Sequence, residues 1–173
     1  MAAKAAFEAY IGKTNATAPY RIDAEYYQGL CAMNLFHPDA EFLLTTFVRN
    51  HPDSHWKQSV YLELGNFKYK SKNYKQCLEW FNQVEERQLL ADEQPSFYYK
   101  RGYAQFNQKQ FKESRVDFAK VKDGNSEFAP GATYYYSYMA YTAQDYQVAL
   151  EGFSKLKEDK DFKAVVPLSL IHI

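Results

Sequence analysis

One residue pattern recurs four times along the chain. It is marked by the small residues Gly29, Gly65, Gly102 and Ser137, which follow one another at intervals of 36, 37 and 35 residues. From the second copy on, an aromatic, a small residue, a Phe and an aliphatic residue follow at offsets of 9, 12, 16 and 19: Tyr74, Cys77, Phe81 and Val84; Phe111, Ser114, Phe118 and Val121; Tyr146, Ala149, Phe153 and Leu156. A fixed period of this length predicts stacked pairs of antiparallel helices.

The pattern divides the whole chain into helical hairpins and predicts an all-α fold. No segment shows the strict polar and apolar alternation of a set of strands. We expect one continuous domain over residues 1–173, opened by the trailing helix and loop of an incomplete hairpin and closed by the start of a further, truncated repeat. The predicted parts are residues 1–19, four repeats at 20–53, 54–92, 93–127 and 128–160, and the final 161–173.

Charge and aromatic content narrow the classes of partner. Lys plus Arg and Asp plus Glu both number 21, so the chain lacks the positive excess that binds phosphate backbones, and we expect no nucleic-acid partner. The 16 Tyr and 13 Phe exceed what the core of a chain this long requires. Some of these rings are therefore expected on the surface, where they are available to a protein or peptide.

Neither a membrane span nor a secretory signal is predicted. No run approaches the roughly 18 consecutive apolar residues of a spanning helix, and Lys4 and Glu8 interrupt the first ten residues. Cys31 and Cys77 are the only cysteines, too few for a disulfide framework.

The residues of the second repeat resemble the tetratricopeptide repeat. The likeness rests on Tyr61, Leu64 and Gly65, followed by Tyr74 and the pair Cys77 and Phe81, and it continues through the next two units. The resemblance implies a right-handed α-solenoid that acts as a non-catalytic scaffold for protein interactions, without cofactors.

Three short segments resemble one particular group of tetratricopeptide proteins. Residues 36–41, 122–127 and 132–136 are similar to long tetratricopeptide proteins of the gram-negative envelope, such as the Tol-Pal coordinator and outer-membrane assembly lipoproteins. This likeness implies a periplasmic or outer-membrane-associated protein.

The pattern departs from the family at three positions. Lys68, Arg101 and Gln105 occupy places where a core Leu or Tyr is usual. Looser packing between neighbouring helices is expected there.

In a solenoid of this type the first helix of each hairpin lines a concave groove. The exposed stripe falls three residues before, one after and four after each small residue. A Tyr ring offers apolar area together with a hydroxyl that tolerates water, so the groove is expected to bind a peptide or helix. The alternative is that these rings only pack against the neighbouring repeat. The candidate residues are Tyr26, Leu30, Met33, Leu62, Asn66, Tyr69, Tyr99, Tyr103, Phe106, Tyr134, Tyr138 and Tyr141.

Other chemistries find little support in the residues. Asn66 matches the position of an Asn that grips a terminal carboxylate in some family members, but Leu62 stands where the accompanying Lys would be, so we expect no such clamp. Residues 51–55 gather two His and an Asp, yet Pro52 is the stop signal of a helix, and we predict a turn rather than a metal site. We predict no catalytic residues and no enzyme activity.

The origin of the last six residues and the function of the chain each have more than one interpretation. Residues 168–173 match the translation of a common sequencing adapter, which predicts a truncated reading frame with more repeats beyond; the alternative is the native start of a helix. Two further functions fit the resemblance: a glycan-binding outer-membrane lipoprotein, or a domain of a larger enzyme or regulator. The oligomeric state is left open.

Overall fold

The computed structural model describes residues 2–162 and residue 166 of the chain. Over these residues every regular element is helical and no strand occurs, which confirms the predicted all-α class. None of the described helices is both long enough and apolar enough to cross a membrane. The helices are α1 (Ala2–Lys13), α2 (Arg21–Asn34), α3 (Ala40–Asn50), α4 (Lys57–Lys70), α5 (Tyr74–Phe81), α6 (Gln94–Asn107), α7 (Phe111–Ala119), α8 (Ala129–Thr142) and α9 (Tyr146–Lys155).

The helices belong to two compact units. Unit 1, Met1–Gln88, contains α1 to α5 and the 3-10 turn Glu86–Gln88, whereas unit 2, Leu89–Ile173, contains α6 to α9. The sequence predicted one continuous domain, and the division falls in the stretch between α5 and α6 that forms no α-helix. In unit 1, α2 pairs with α3 and α4 with α5; in unit 2, α6 pairs with α7 and α8 with α9. The leading helices of each unit also touch, α2 with α4 and α6 with α8.

Each hairpin turns through a residue in the left-handed region. Phe36, Lys72, Lys109 and Gln144 have φ of 53°, 57°, 60° and 64°, and each lies seven positions after the small residue of its repeat. The next backbone N–H then donates to a carbonyl five residues earlier, as from Asn73 to Lys68 at 2.9 Å. This bond closes a Schellman motif and ends the leading helix. The repeat in sequence is therefore also a repeat in backbone geometry.

We expect Lys72→Gly to stabilise unit 1 by about 1 kcal/mol, because a side chain in the left-handed region carries a steric cost that glycine avoids. The matched control is Lys75→Gly, three residues on and exposed in α5. There the same change should destabilise the protein, by less than the about 1 kcal/mol of a helix interior, because Lys75 is the second residue of α5 and glycine is a poor helix former. Urea denaturation measures both variants, and the same sign at both positions would contradict the turn geometry.

The repeated residues form the contacts inside each hairpin. A Cβ built on Gly29 would lie 2.5 Å from Leu44, and one built on Gly65 would lie 2.3 Å from the Phe81 ring. The leading helix thus lies with its backbone against a large side chain of the second helix. These large side chains are fully buried, as the pattern predicted: Leu44 0%, Phe81 0%, Phe118 0% and Phe153 1% exposed.

The polar residues at core positions are held by ion pairs. Lys68 Nζ lies 2.8 Å from Glu41 of α3, with the lysine side chain 10% exposed. Arg101 reaches Asp117 of α7 at 2.6 Å, with side chains 12% and 2% exposed. At these two positions, where looser packing was expected, the structure has ion pairs: the Arg101–Asp117 pair is buried, whereas the Glu41 side chain of the other pair is 42% exposed. At the third position, Gln105 Oε1 is buried and accepts no hydrogen bond from the described residues.

Candidate partner-binding face

The candidate groove residues of unit 2 lie on two neighbouring helices. Tyr138 is 40% exposed, and the other five are half-buried. Helices α6 and α8 touch, and within this set Phe106 and Tyr138 meet across the two helices. We call this set the aromatic face; it consists of Tyr99, Tyr103 and Phe106 on α6 and Tyr134, Tyr138 and Tyr141 on α8.

Rings of the aromatic face combine core packing with exposure. Tyr99 lies edge-on to the buried Phe118, with 5.8 Å between centroids, and Tyr134 lies 5.8 Å from the buried Phe153. Phe106 meets Tyr138 edge-on at 5.8 Å, which joins the two helices. Each of these rings packs on neighbouring rings and keeps part of its surface accessible, so this packing does not exclude the binding of a partner, which stays a prediction. Support of this kind reduces the entropy that the rings would lose on binding a partner.

Tyr135 of α8 packs among the rings of the aromatic face, although the sequence pattern did not predict it there. Its ring lies 5.2 Å from Tyr103 and 5.2 Å from Phe106, and stacks on Phe118 at 5.5 Å. It was missed because its position, two before the small residue, lies outside the three offsets used to predict the stripe. Burial raises the pKa of Tyr135, and the neighbouring Tyr103 hydroxyl, to which it is hydrogen-bonded, raises it further. Burial also raises the pKa of Tyr99. These two hydroxyls therefore stay neutral at physiological pH.

In unit 1 the predicted groove residues separate into two groups. Tyr26 and Met33 are 6% and 7% exposed and belong to the core, with Tyr26 stacked on Trp56 at 4.3 Å. Their burial leaves too little area for a partner, so the sequence pattern placed them wrongly on the surface. The remaining four are half-buried on α2 and α4: Leu30, Leu62, Asn66 and Tyr69.

The histidine-rich loop after α3 is held against α2. His51 Nε2 lies 2.7 Å from one oxygen of Glu25, and Arg21 Nε lies 2.6 Å from the other. Burial raises the pKa of Glu25, but the hydrogen bonds from Arg21 and His51 outweigh burial and hold that pKa below its usual range. His55 Nε2 lies 3.9 Å from Asp23. His51 and His55 thus hold the loop against α2 through Glu25 and Asp23. Over the described ranges, no three His, Cys, Asp or Glu side chains come close enough to hold a metal ion.

Cys31 and Cys77 form no disulfide bond, and Cys77 is buried in the small-residue position of its hairpin.

A scan of the chain against protein-family models finds no match. Searches for similar curated proteins and for similar solved structures find no match either.

Proposed function

We propose that this chain is a non-catalytic interaction scaffold of tetratricopeptide type, whose aromatic face binds an apolar peptide or an amphipathic helix of another protein. The right-handed solenoid implied by the repeat is part of this proposal. So is a place in the periplasm or at the outer membrane of a gram-negative cell, which follows from the resemblance of residues 36–41, 122–127 and 132–136.

The observation that carries the proposal is the half-exposed set of rings on α6 and α8. An aromatic side chain that is rigidly supported and only partly covered is the kind of residue that dominates binding energy at protein interfaces. The neutral hydroxyls of Tyr99 and Tyr135 add no charge to the face. A partner with an apolar stripe can therefore cover these rings without burying an ionised phenolate.

A peptide-display selection on the intact chain tests the proposal. We expect selected peptides to carry apolar anchors at helical or extended spacing and to lose affinity about tenfold or more for Tyr138→Ser, equivalent to about 1.4 kcal/mol. The matched control is Leu150→Ser on α9, because Leu150 is 43% exposed and Tyr138 is 40% exposed. Fluorescence anisotropy with the same labelled peptides compares the two variants. Equal loss in both, or peptides that bind both as well as the original chain, would count against this face.

A further inference from the structure

The two hairpin turns of unit 1 lie side by side at one end of its helices. They are residues 35–39, between α2 and α3, and residues 71–73, between α4 and α5. Lys68 near the end of α4 lies 2.8 Å from Glu41 near the start of α3, and this contact joins the two turns. The loops that connect successive hairpins lie at the other end, because a leading helix of 14 residues spans about 20 Å from loop to turn. We call these the turn end and the loop end of unit 1.

The first turn exposes large apolar side chains. Phe36, at the left-handed apex, is 78% exposed, and the preceding Leu35 is 44% exposed. Phe42, in the first turn of α3, is 66% exposed. Large apolar side chains that are exposed together mark a surface that contacts another protein or a membrane.

The exposure of this first turn does not depend on a neighbouring hairpin. The second and fourth hairpins each have a preceding hairpin in their own unit, and their equivalent positions, counted from the small residue of each helix, are exposed as well. The equivalents of Leu35, Phe36 and Phe42 are Ser71, Lys72 and Glu79 in the second hairpin and Ala143, Gln144 and Glu151 in the fourth. A further hairpin beside α1 would therefore leave the three apolar side chains exposed.

The second turn places three lysines beside these apolar side chains. Lys70, Lys72 and Lys75 are exposed, and no acid in the described part of the chain forms a salt bridge with them. Asp39 is the one acid within the two turns, and Glu79 lies one helical turn beyond Lys75. The turn end therefore carries an excess of positive charge that is free to meet an anionic partner.

The loop end of unit 1 carries the opposite charge. The loops before α4 and after α5 hold three acids and one arginine, which are Asp53, Glu85, Glu86 and Arg87. The chain as a whole has a formal net charge of zero, so the charges of unit 1 are sorted along its helices rather than in excess. An anionic surface would attract the turn end and repel the loop end, and the unit would approach it in one orientation.

We infer that the turn end of unit 1 binds the surface of an anionic phospholipid bilayer. Leu35 and Phe36 enter the boundary between headgroups and acyl chains, and Lys70, Lys72 and Lys75 lie against the lipid phosphates. Side chains that project from an apex can be buried in this way, whereas recognition of a peptide uses a groove or a sheet edge. This surface lies in unit 1, goes beyond the function proposed for the aromatic face and does not depend on it.

Sedimentation of the intact chain with lipid vesicles tests the inference. We expect binding to vesicles that contain phosphatidylglycerol, and at least about tenfold weaker binding to pure phosphatidylcholine. Lys72→Gly should weaken binding about fivefold because one charge is lost, although the same change is expected to stabilise unit 1. Lys13→Gly, at an exposed position where α1 ends beside the loop end, should leave binding unchanged. Absence of vesicle binding would overturn the inference, also if the turn end bound an acidic protein, and so would equal binding to the two kinds of vesicle.

A matched pair of positions tests the apolar apex. Phe36 and Tyr20 are both 78% exposed, have φ of 53° and 59°, and flank opposite ends of α2. Asn is tolerated in the left-handed region, so neither Phe36→Asn nor Tyr20→Asn should strain the fold. We expect Phe36→Asn to weaken vesicle binding about tenfold, because the inserted ring is lost, and Tyr20→Asn to leave it unchanged. With brominated lipids, the fluorescence added by Phe36→Trp should be quenched and that added by Tyr20→Trp should not. Equal loss of binding for the two Asn variants, or equal quenching for the two Trp variants, would contradict insertion of the turn end.

Discussion

Replacement of Asp117 by Ala is expected to lower the free energy of unfolding by about 3–5 kcal/mol. Asp117 Oδ2 and Oδ1 accept hydrogen bonds from Arg101 at 2.6 Å and 2.7 Å, and the Asp117 side chain is 2% exposed. The guanidinium also lies 4.6 Å from the centroid of the Phe97 ring, which keeps it inside the unit. Without the carboxylate, a desolvated cation loses both of these bonds, and that loss is the source of the penalty.

Two control variants test whether the loss of stability is specific to the buried ion pair or follows the removal of any paired carboxylate. Replacing Arg101 and Asp117 together by Leu should recover most of the lost stability, because well-packed apolar residues often replace a buried pair at little cost. Asp145→Ala removes a carboxylate 3.3 Å from Arg115, where the side chains are 36% and 40% exposed; it should cost at most about 1 kcal/mol. Chemical denaturation followed by circular dichroism measures all three. A cost below about 1 kcal/mol for Asp117→Ala would contradict the role assigned to the pair.

Gly65→Ala is expected to destabilise unit 1 by about 1–3 kcal/mol. The added methyl would lie 2.3 Å from two atoms of the Phe81 ring, and Phe81 is 0% exposed, so the ring has no free space to enter. The two helices of the hairpin must therefore separate or the ring must leave its preferred rotamer. This cost exceeds the gain of up to about 1 kcal/mol that alanine brings to a helix.

Gly12→Ala provides the matched change in α1. A Cβ at Gly12 would meet no atom within 4 Å, so only the propensity gain should remain and the protein should become slightly more stable. Thermal unfolding compares the two variants directly. Similar effects at both positions would show that close helix approach at Gly65 is not what the repeated small residue provides.

The repeat in the sequence predicted the helices and the burial of the large residues on the second helix of each hairpin. Because Phe81 belongs to a pattern that recurs with fixed offsets, its place in the core could be inferred without knowing any neighbour. The same reasoning failed where a side chain depends on one particular partner. Tyr26 is buried because Trp56 stacks on it, and nothing in the offsets distinguishes it from Tyr99.

The ion pairs at the polar core positions could not be predicted from the sequence for the same reason. The sequence marks Lys68 and Arg101 as unusual, but their partners lie 27 and 16 residues away, at positions without any recurrent signal. Residues 168–173, read from the sequence as the product of a truncated frame, fall outside the described residues. The repeat pattern also does not predict the division into two compact units, because that pattern describes each hairpin by itself.

Photo-cross-linking in cells that naturally express the chain tests the aromatic face most directly. Benzoylphenylalanine is placed at Tyr138 or, in a separate variant, at Leu150, two positions of nearly equal exposure at 40% and 43% on neighbouring helices. If the aromatic face binds a protein partner, position 138 yields a defined polypeptide adduct that position 150 does not. Equal adducts from both positions, or none from 138, would contradict the proposed function.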